Sequence, residues 1–418
     1  MRHAFSALAL AGLAFLAGAG TGDAQPAEAQ VRAALESAPA VAAARADRAA
    51  ALARAEQTGL GGYETSLDAG LARREVDASG DSMEWQLGVS RRFRWPEKRR
   101  LDAELSRTET ALAEAAYAHA WQAGALDWAG LWVRWDRARI LEDVMANRAD
   151  DARTRRDAER ARLDQARGRA VDVDRLGRDL ALAEAALETA RQETELARLA
   201  LDARFAGTAR PDLAAALVPE ACGGDGDSDP LSEMLQASPA LRTARLALDH
   251  ARLVRRRAEY DRRTDPQLGL QVFSERDGRE TGVGVTVSMP IAGGLRAARV
   301  DEAAGNQNGR RASLAAVEAE ARRAALELAA RNIRTERRLQ QARDAVAAAE
   351  QVLARLERGR DLQAVTVLDI LEARSALWSA REAEIDARAD RLEVRLHRGI
   401  RLGCVLGPEN EPDAPHIP

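Results

Sequence analysis

Two stretches of this chain alternate apolar and polar residues with a period of two, against a background whose apolar positions recur every three to four. Between Gln267 and Pro290, Leu268, Leu270 and Val272 alternate with Gln267, Gly269 and Gln271. After a polar turn, Val283, Val285, Val287 and Met289 alternate with Gly282, Gly284, Thr286 and Ser288. This predicts a β-hairpin with one apolar face and one small or polar face. A second hairpin lies upstream. Tyr63, Thr65, Leu67, Ala69 and Leu71 share one face; beyond a polar loop containing Asp77, Ser79, Gly80 and Asp81, Trp85, Leu87, Val89, Phe93 and Trp95 oppose Gln86, Gly88, Ser90, Arg92 and Arg94. Arg91 interrupts that apolar face. The predicted strands are 63–73, 84–95, 267–275 and 282–289.

The surrounding pattern is helical and repeats itself. Helical periodicity spans 27–57, 97–163 and 171–205, then 295–357 and 365–398, with turns at Gly168–Arg169 and at Gly359. At 1.5 Å per residue the two longest helices each extend about 100 Å, beyond what a globular domain uses. The stretch SAPAVAAARADRAAALA from Ser37 resembles ASPALRTARLALDHARL from Ala237, with Pro239 standing where Pro39 stood. Each hairpin also ends at a proline, Pro96 or Pro290. The chain therefore reads as a tandem repeat of helix, hairpin, long helix, turn and helix. The first repeat covers 25–206 and the second 231–400, joined by a Pro- and Gly-rich linker at 207–230 and followed by a tail at 401–418.

Composition fits this picture. Charged residues make up 31% and aromatic residues 4%, which favours long helices packed through small side chains over one large core. Acids and bases are interspersed and the net charge is −4, so neither a nucleic-acid patch nor a basic membrane-surface tail is present. Lys98 is the single lysine. Arg2, an apolar run from Ala7 to Ala17 and small-residue sites at Ala17–Ala19 or Gly22–Ala24 read as a signal peptide over 1–24 and predict export. No later stretch is apolar for about 18 residues, so a membrane crossing has to be made by strands.

Four strands cannot close a barrel, and an open sheet in lipid leaves unpaired edges. Closure calls for further copies: three chains supply twelve strands, within the range that leaves an open lumen. Tyr63, Trp85 and Trp95 fall where an interfacial aromatic girdle belongs. The predicted fold class is mainly α with transmembrane β: a tandem-repeat long α-helical barrel plus four strands per chain contributing to a 12-stranded trimeric β-barrel. A soluble hairpin capping a coiled coil is the alternative; it needs a cover for both apolar faces, and the sequence offers none.

Nothing in the sequence points to catalysis or to a bound cofactor. His3, His119, His250, His397 and His416 are scattered without ligand spacing. Gly293 and Gly294 suit a tight strand-to-helix turn. Trp121, Trp128 and Trp135 recur every seven residues with Trp132 beside them, which predicts a helix-packing seam. Asp369 and Glu372 share one helical face just after a turn, and by themselves they read as solvated surface acids. Cys222 and Cys404 are either two free thiols or, in an oxidising compartment, a disulfide.

The two-repeat order, the helix start Ser238-Pro239-Ala240-Leu241, the strand exit SMPIAGGLR at 288–296 and the closing VLDILEARSALWSAREAEIDA at 367–387 together resemble the outer membrane efflux protein (TolC) family over essentially the whole exported chain. The resemblance implies a homotrimer in outer-membrane lipid with a long helical tunnel in the periplasm, meeting a periplasmic adaptor (membrane fusion) protein and an inner-membrane pump. It implies that Asp369 and Glu372 form an acidic ring at the periplasmic aperture, with Arg175 and Arg178 at the equivalent place of the first repeat as partners. It also implies that the linker and tail lie together, which favours a Cys222–Cys404 disulfide. The segment FRWPEKRR at 93–100 resembles the strand exit of the heavy-metal branch at Lys98-Arg99, with Pro96-Glu97 in place of that branch's glycines, and so leans toward metal export. Type I secretion, a periplasmic adaptor and a coiled-coil scaffold are the competing functions. The adaptor lacks support, because neither a lipoyl-like domain nor an inner-membrane anchor is visible.

Overall fold

The computed structural model describes residues 27–76, 80–211, 213, 230–291, 293–361 and 365–407. The segment read as a signal peptide, Cys222 with most of the predicted linker, and the last residues of the tail lie outside these. The first repeat contributes α1 (Ala27–Ser37), α2 (Pro39–Leu60), β1 (Thr65–Val76), β2 (Gly80–Arg92), α3 (Pro96–Asp164) and α4 (Ala170–Asp202). The second contributes α5 (Pro230–Gln236), α6 (Pro239–Tyr260), β3 (Gln267–Glu275), β4 (Glu280–Ser288), α7 (Gly294–Asp361) and α8 (Val367–Leu402). The duplicated helix start is visible in the backbone. Both α2 and α6 are 22 residues long with proline in the first turn, where a missing N–H leaves no bond unmade. Ser238 caps α6 by accepting from the Leu241 amide at 3.3 Å.

The four strands form one antiparallel sheet in the order β1-β2-β3-β4. The two hairpins thus join through β2 and β3, with Leu87 opposite Val272 and Val89 opposite Leu270. The first hairpin is longer at its turn than the alternation suggested: β2 begins at Gly80, and the ladder runs on to Val76 opposite Gly80. Ion pairs extend it where hydrophobic alternation stops, among them Arg74 to Glu84 at 3.1 Å. Conversely β2 ends at Arg92 rather than Trp95, although the Phe93 amide still donates to the Pro266 carbonyl at 2.8 Å.

At 69 and 68 residues, α3 and α7 run about 100 Å from the sheet. Beside the sheet the helices pack in the row α2, α3, α6, α7; toward the far end the row is α4, α3, α8, α7. The largest core lies midway along α3. There Trp121, Trp128, Trp132 and Trp135 are buried with Val31 and Leu35 of α1, Val41 of α2, Leu201 of α4, Leu396 and Ile400 of α8, and Leu406 after it. Trp128 stacks on Trp132 with ring centroids 6.1 Å apart, and the Trp121 indole donates to the Leu406 carbonyl at 2.7 Å. The tryptophans are therefore a packing seam, as their spacing predicts, but one wrapped by the chain's short segments as well as by its long helices.

Candidate functional site

Three places along the molecule carry functional geometry: the sheet, the junction where strands meet helices, and the far tip. On one face of the sheet stand Leu67, Leu71, Trp85, Leu87, Val89, Leu268, Leu270, Val272, Val283, Val285 and Val287, each between 41% and 75% exposed. A continuous apolar face of this size exceeds the patches that water-soluble monomers tolerate. The opposite face carries Gln86, Gly88, Ser90, Gly269, Gln271, Gly282, Gly284 and Thr286. Glycine is needed there for close approach: a Cβ on Gly282 would lie 2.4 Å from the Phe273 ring, and one on Gly70 would lie 2.9 Å from the Gln86 side chain. Large side chains thus lie flat against the polar face. Among the described residues, the outer edges of β1 and β4 have no partner strand.

The predicted girdle divides. Trp85 and Trp95 are both exposed and ten residues apart, a height of about 25 Å for a strand tilted near 40°. Tyr63 is turned away from them. Its hydroxyl donates to Asp265 Oδ2 at 2.9 Å, and the guanidinium groups of Arg92 and Arg94 lie 5.0 and 5.5 Å from its ring centroid. Tyr63 precedes β1, so strand alternation does not govern it, and the arginines draw its ring toward the junction.

That junction is a buried ion network. Lys98, only 1% exposed, meets Asp265 at 2.9 Å, Asp261 at 3.1 Å and the Arg263 carbonyl at 2.7 Å. Asp102 Oδ1 accepts from Arg94 Nη2 and from Arg257 Nε, each at 2.8 Å. The Trp95 indole donates to the Thr264 carbonyl at 2.9 Å. Burial opposes ionisation of Asp261, yet hydrogen bonds from Arg257 and Lys98 hold its carboxyl below the usual range. The network ties the end of β2 and the start of α3 to the end of α6, uniting the two repeats. The sequence marked Lys98 only as part of a strand-exit motif; its being the single lysine was the one signal of a special environment.

At the tip, α8 opens with a capping box. The Asp369 amide donates to Thr366 Oγ1 at 3.3 Å, while Asp369 Oδ2 accepts from the Thr366 amide at 2.9 Å and hydroxyl at 2.6 Å. These bonds hold the Asp369 carboxyl below its ordinary range, and they cap the start of α8 with a charged group. Glu372 is exposed and, among the described residues, has no ion-pair partner. Within the chain neither acid meets Arg175 or Arg178: Arg175 turns to Asp172 at 3.3 Å, and Arg178 is exposed. Near the tip, Arg374 joins the repeats. It reaches Asp151 of α3 at 2.5 Å and also pairs with Glu357 of α7. Arg155 adds a second bond to Asp151 at 2.7 Å and approaches Asp179 of α4 at 3.8 Å. Burial, together with the neighbouring Arg374, pushes the Arg155 guanidinium down. Sequence reading missed Arg374 because its place two residues after Glu372 puts it on another helical face, and only the fold brings Asp151 there.

Cys404 is disulfide-bonded; Cys222 lies outside the described residues. Among the described residues no three His, Cys, Asp or Glu side chains converge as metal ligands, and no helix is long and apolar enough to cross a membrane.

A sheet of this kind feeding two long helical hairpins defines a recognisable class. Neither a protein-family model nor a curated relative matches the sequence, but solved structures match the whole architecture. The outer membrane protein VceC from Vibrio cholerae superposes with a TM-score of 0.72 at 18% identity, over 90% of this chain and 96% of that one. The transmembrane channel protein CusC gives 0.72 at 14% identity, over 92% of both chains. The open-state MtrE outer membrane channel of Neisseria gonorrhoeae gives 0.69 at 17% identity, over 90% and 89%. The chain therefore has the fold of TolC-type outer-membrane channels, as the sequence resemblance implied.

Proposed function

We propose that the chain is the outer-membrane channel subunit of a tripartite efflux system, a passive exit duct formed by three copies and opened by an adaptor and a pump. The observation that carries this reading is the sheet: an exposed face apolar but for Arg91 toward its helix end, a polar glycine-lined face and, among the described residues, two unpaired edges. Pairing β1 of one copy with β4 of the next would satisfy those edges and close a 12-stranded barrel, with the apolar face on lipid and the polar face on a wet lumen. The helices then continue the wall into the periplasm. Exposed leucines at heptad spacing, Leu182 and Leu196 on α4 and Leu326 with Ile333 on α7, sit on the two outer helices of the lower row and would pack copy against copy.

The tip is the closed end in this reading. Arg374 ties α8 to α3, and Asp369 and Glu372 of three copies supply an acidic ring whose potential favours cations. Cys222 is the partner assigned to Cys404 in this reading. Detergent extraction from outer membranes followed by mass measurement tests the assignment: a trimer that conducts in planar bilayers is expected. Release of the protein by washing without detergent, or a monomer in detergent, would overturn it. Heavy-metal export is the finer reading drawn from Lys98-Arg99; metal sensitivity of a deletion strain tests it.

A further inference from the structure

Beneath the sheet, on the side of its polar face, Tyr63, Arg92, Arg94, Arg257, Arg296 and Arg299 line a cavity of about 340 Å³ together with Asp261, Asp265 and Pro290. That is room for roughly ten waters. Five arginines face two aspartates, and the acids are already engaged: Asp265 by Lys98 and Tyr63, Asp261 by Lys98 and Arg257. Arg94 is matched by Asp102. Three cations are left without a carboxylate. Arg92 lies over the Tyr63 ring, Arg296 donates to the Asp261 backbone carbonyl, and Arg299 is exposed with no ion pair among the described residues. Arg92 extends the row of Gln86, Gly88 and Ser90 along β2, which places the cavity on the lumen side of the sheet.

We propose that this cavity is an oxyanion-binding site, recognising phosphate or carboxylate groups of molecules that pass from the helical tunnel into the barrel. The proposal rests on the channel reading for its location, and goes beyond it by assigning the class of cargo. The chemistry fits: guanidinium forks match the two oxygens of a carboxylate or phosphate, and Lys98 with its aspartates fixes the wall behind them. In three copies, nine uncompensated arginines form a cationic collar about 100 Å above the acidic tip. Such a collar holds anions and disfavours bare metal cations, and so stands against the heavy-metal reading of Lys98-Arg99.

The test uses the full-length protein in neutral detergent. Isothermal titration with inorganic phosphate is expected to show binding that an Arg296→Gln/Arg299→Gln double variant weakens at least tenfold and an Arg299→Lys variant largely retains. In planar bilayers of phosphatidylcholine, phosphate is expected to reduce wild-type current and to leave the double variant unblocked. Equal phosphate binding by wild type and double variant overturns the site, whether or not the protein conducts. Binding that is lost in the double variant, in a protein that forms no channel, upholds the site and overturns the channel instead. Tighter binding of a short-chain phosphatidylglycerol than of phosphate assigns the arginines to a lipid headgroup and overturns the cargo role.

Discussion

The two ends of the long helices handle charge in opposite ways. At the junction beneath the sheet, Lys98 and Asp265 are almost wholly withdrawn from water, and arginines outnumber acids around the adjoining cavity. At the tip, Arg374 and Arg155 are each matched by acids, while Asp369 and Glu372 remain on the surface. Separating a pair only 1–2% exposed strands a charge in a poor solvent, whereas the tip pairs, 14–34% exposed, rehydrate more readily when they part. In the proposed channel the junction would hold together while the tip parts first. A duct that opens at one end needs such a division.

That contrast is open to experiment. Lys98→Met strands Asp265 and is expected to destabilise the protein by about 3–5 kcal/mol, read as a fall in the chemical-denaturation midpoint; an unchanged midpoint would remove the distinction between the ends. Arg374→Ala is expected to raise channel conductance and drug leakage while costing no more than about 1–2 kcal/mol, because Asp151 keeps Arg155. Between the two ends, burial lowers the pKa of His397, which faces Glu393 and Arg401 of α8, Arg331 of α7 and the Leu126 backbone of α3. A depressed histidine stabilises the fold fully above its ordinary value of 6.5, and that contribution is lost as pH falls through the folded value. Acidification below 6.5 should therefore loosen the middle of the wall, seen as a lower denaturation midpoint, and His397→Gln should flatten that dependence. The smallest change is foreseen for Glu372→Gln, which should lower cation preference less than about twofold, since an exposed charge is screened by salt. A larger loss would show that the tip acids are confined more closely than one chain reveals.

Sequence periodicity carried the fold a long way. Period-two alternation located both hairpins, proline and glycine marked helix ends, and the likeness of the helix starts at Pro39 and Pro239 exposed the repeat. Strand ends were less legible, because ion pairs such as Arg74–Glu84 prolong a ladder without any hydrophobic signal. Tyr63 escaped the pattern because it sits outside the strand, where its partners Asp265 and Arg92 are set by tertiary packing. The same holds for Arg374 and Asp151, 223 residues apart. Asp369 was legible as an acid near a turn, but its bonds to Thr366 needed the backbone to be seen.

The most direct trial is single-channel recording of the detergent-extracted protein beside its Arg374→Ala variant in planar bilayers. Brief, small openings from the wild type and larger, longer-lived ones from the variant are expected. No conductance from either, in protein shown to be folded and trimeric, would contradict a duct that is closed at its tip.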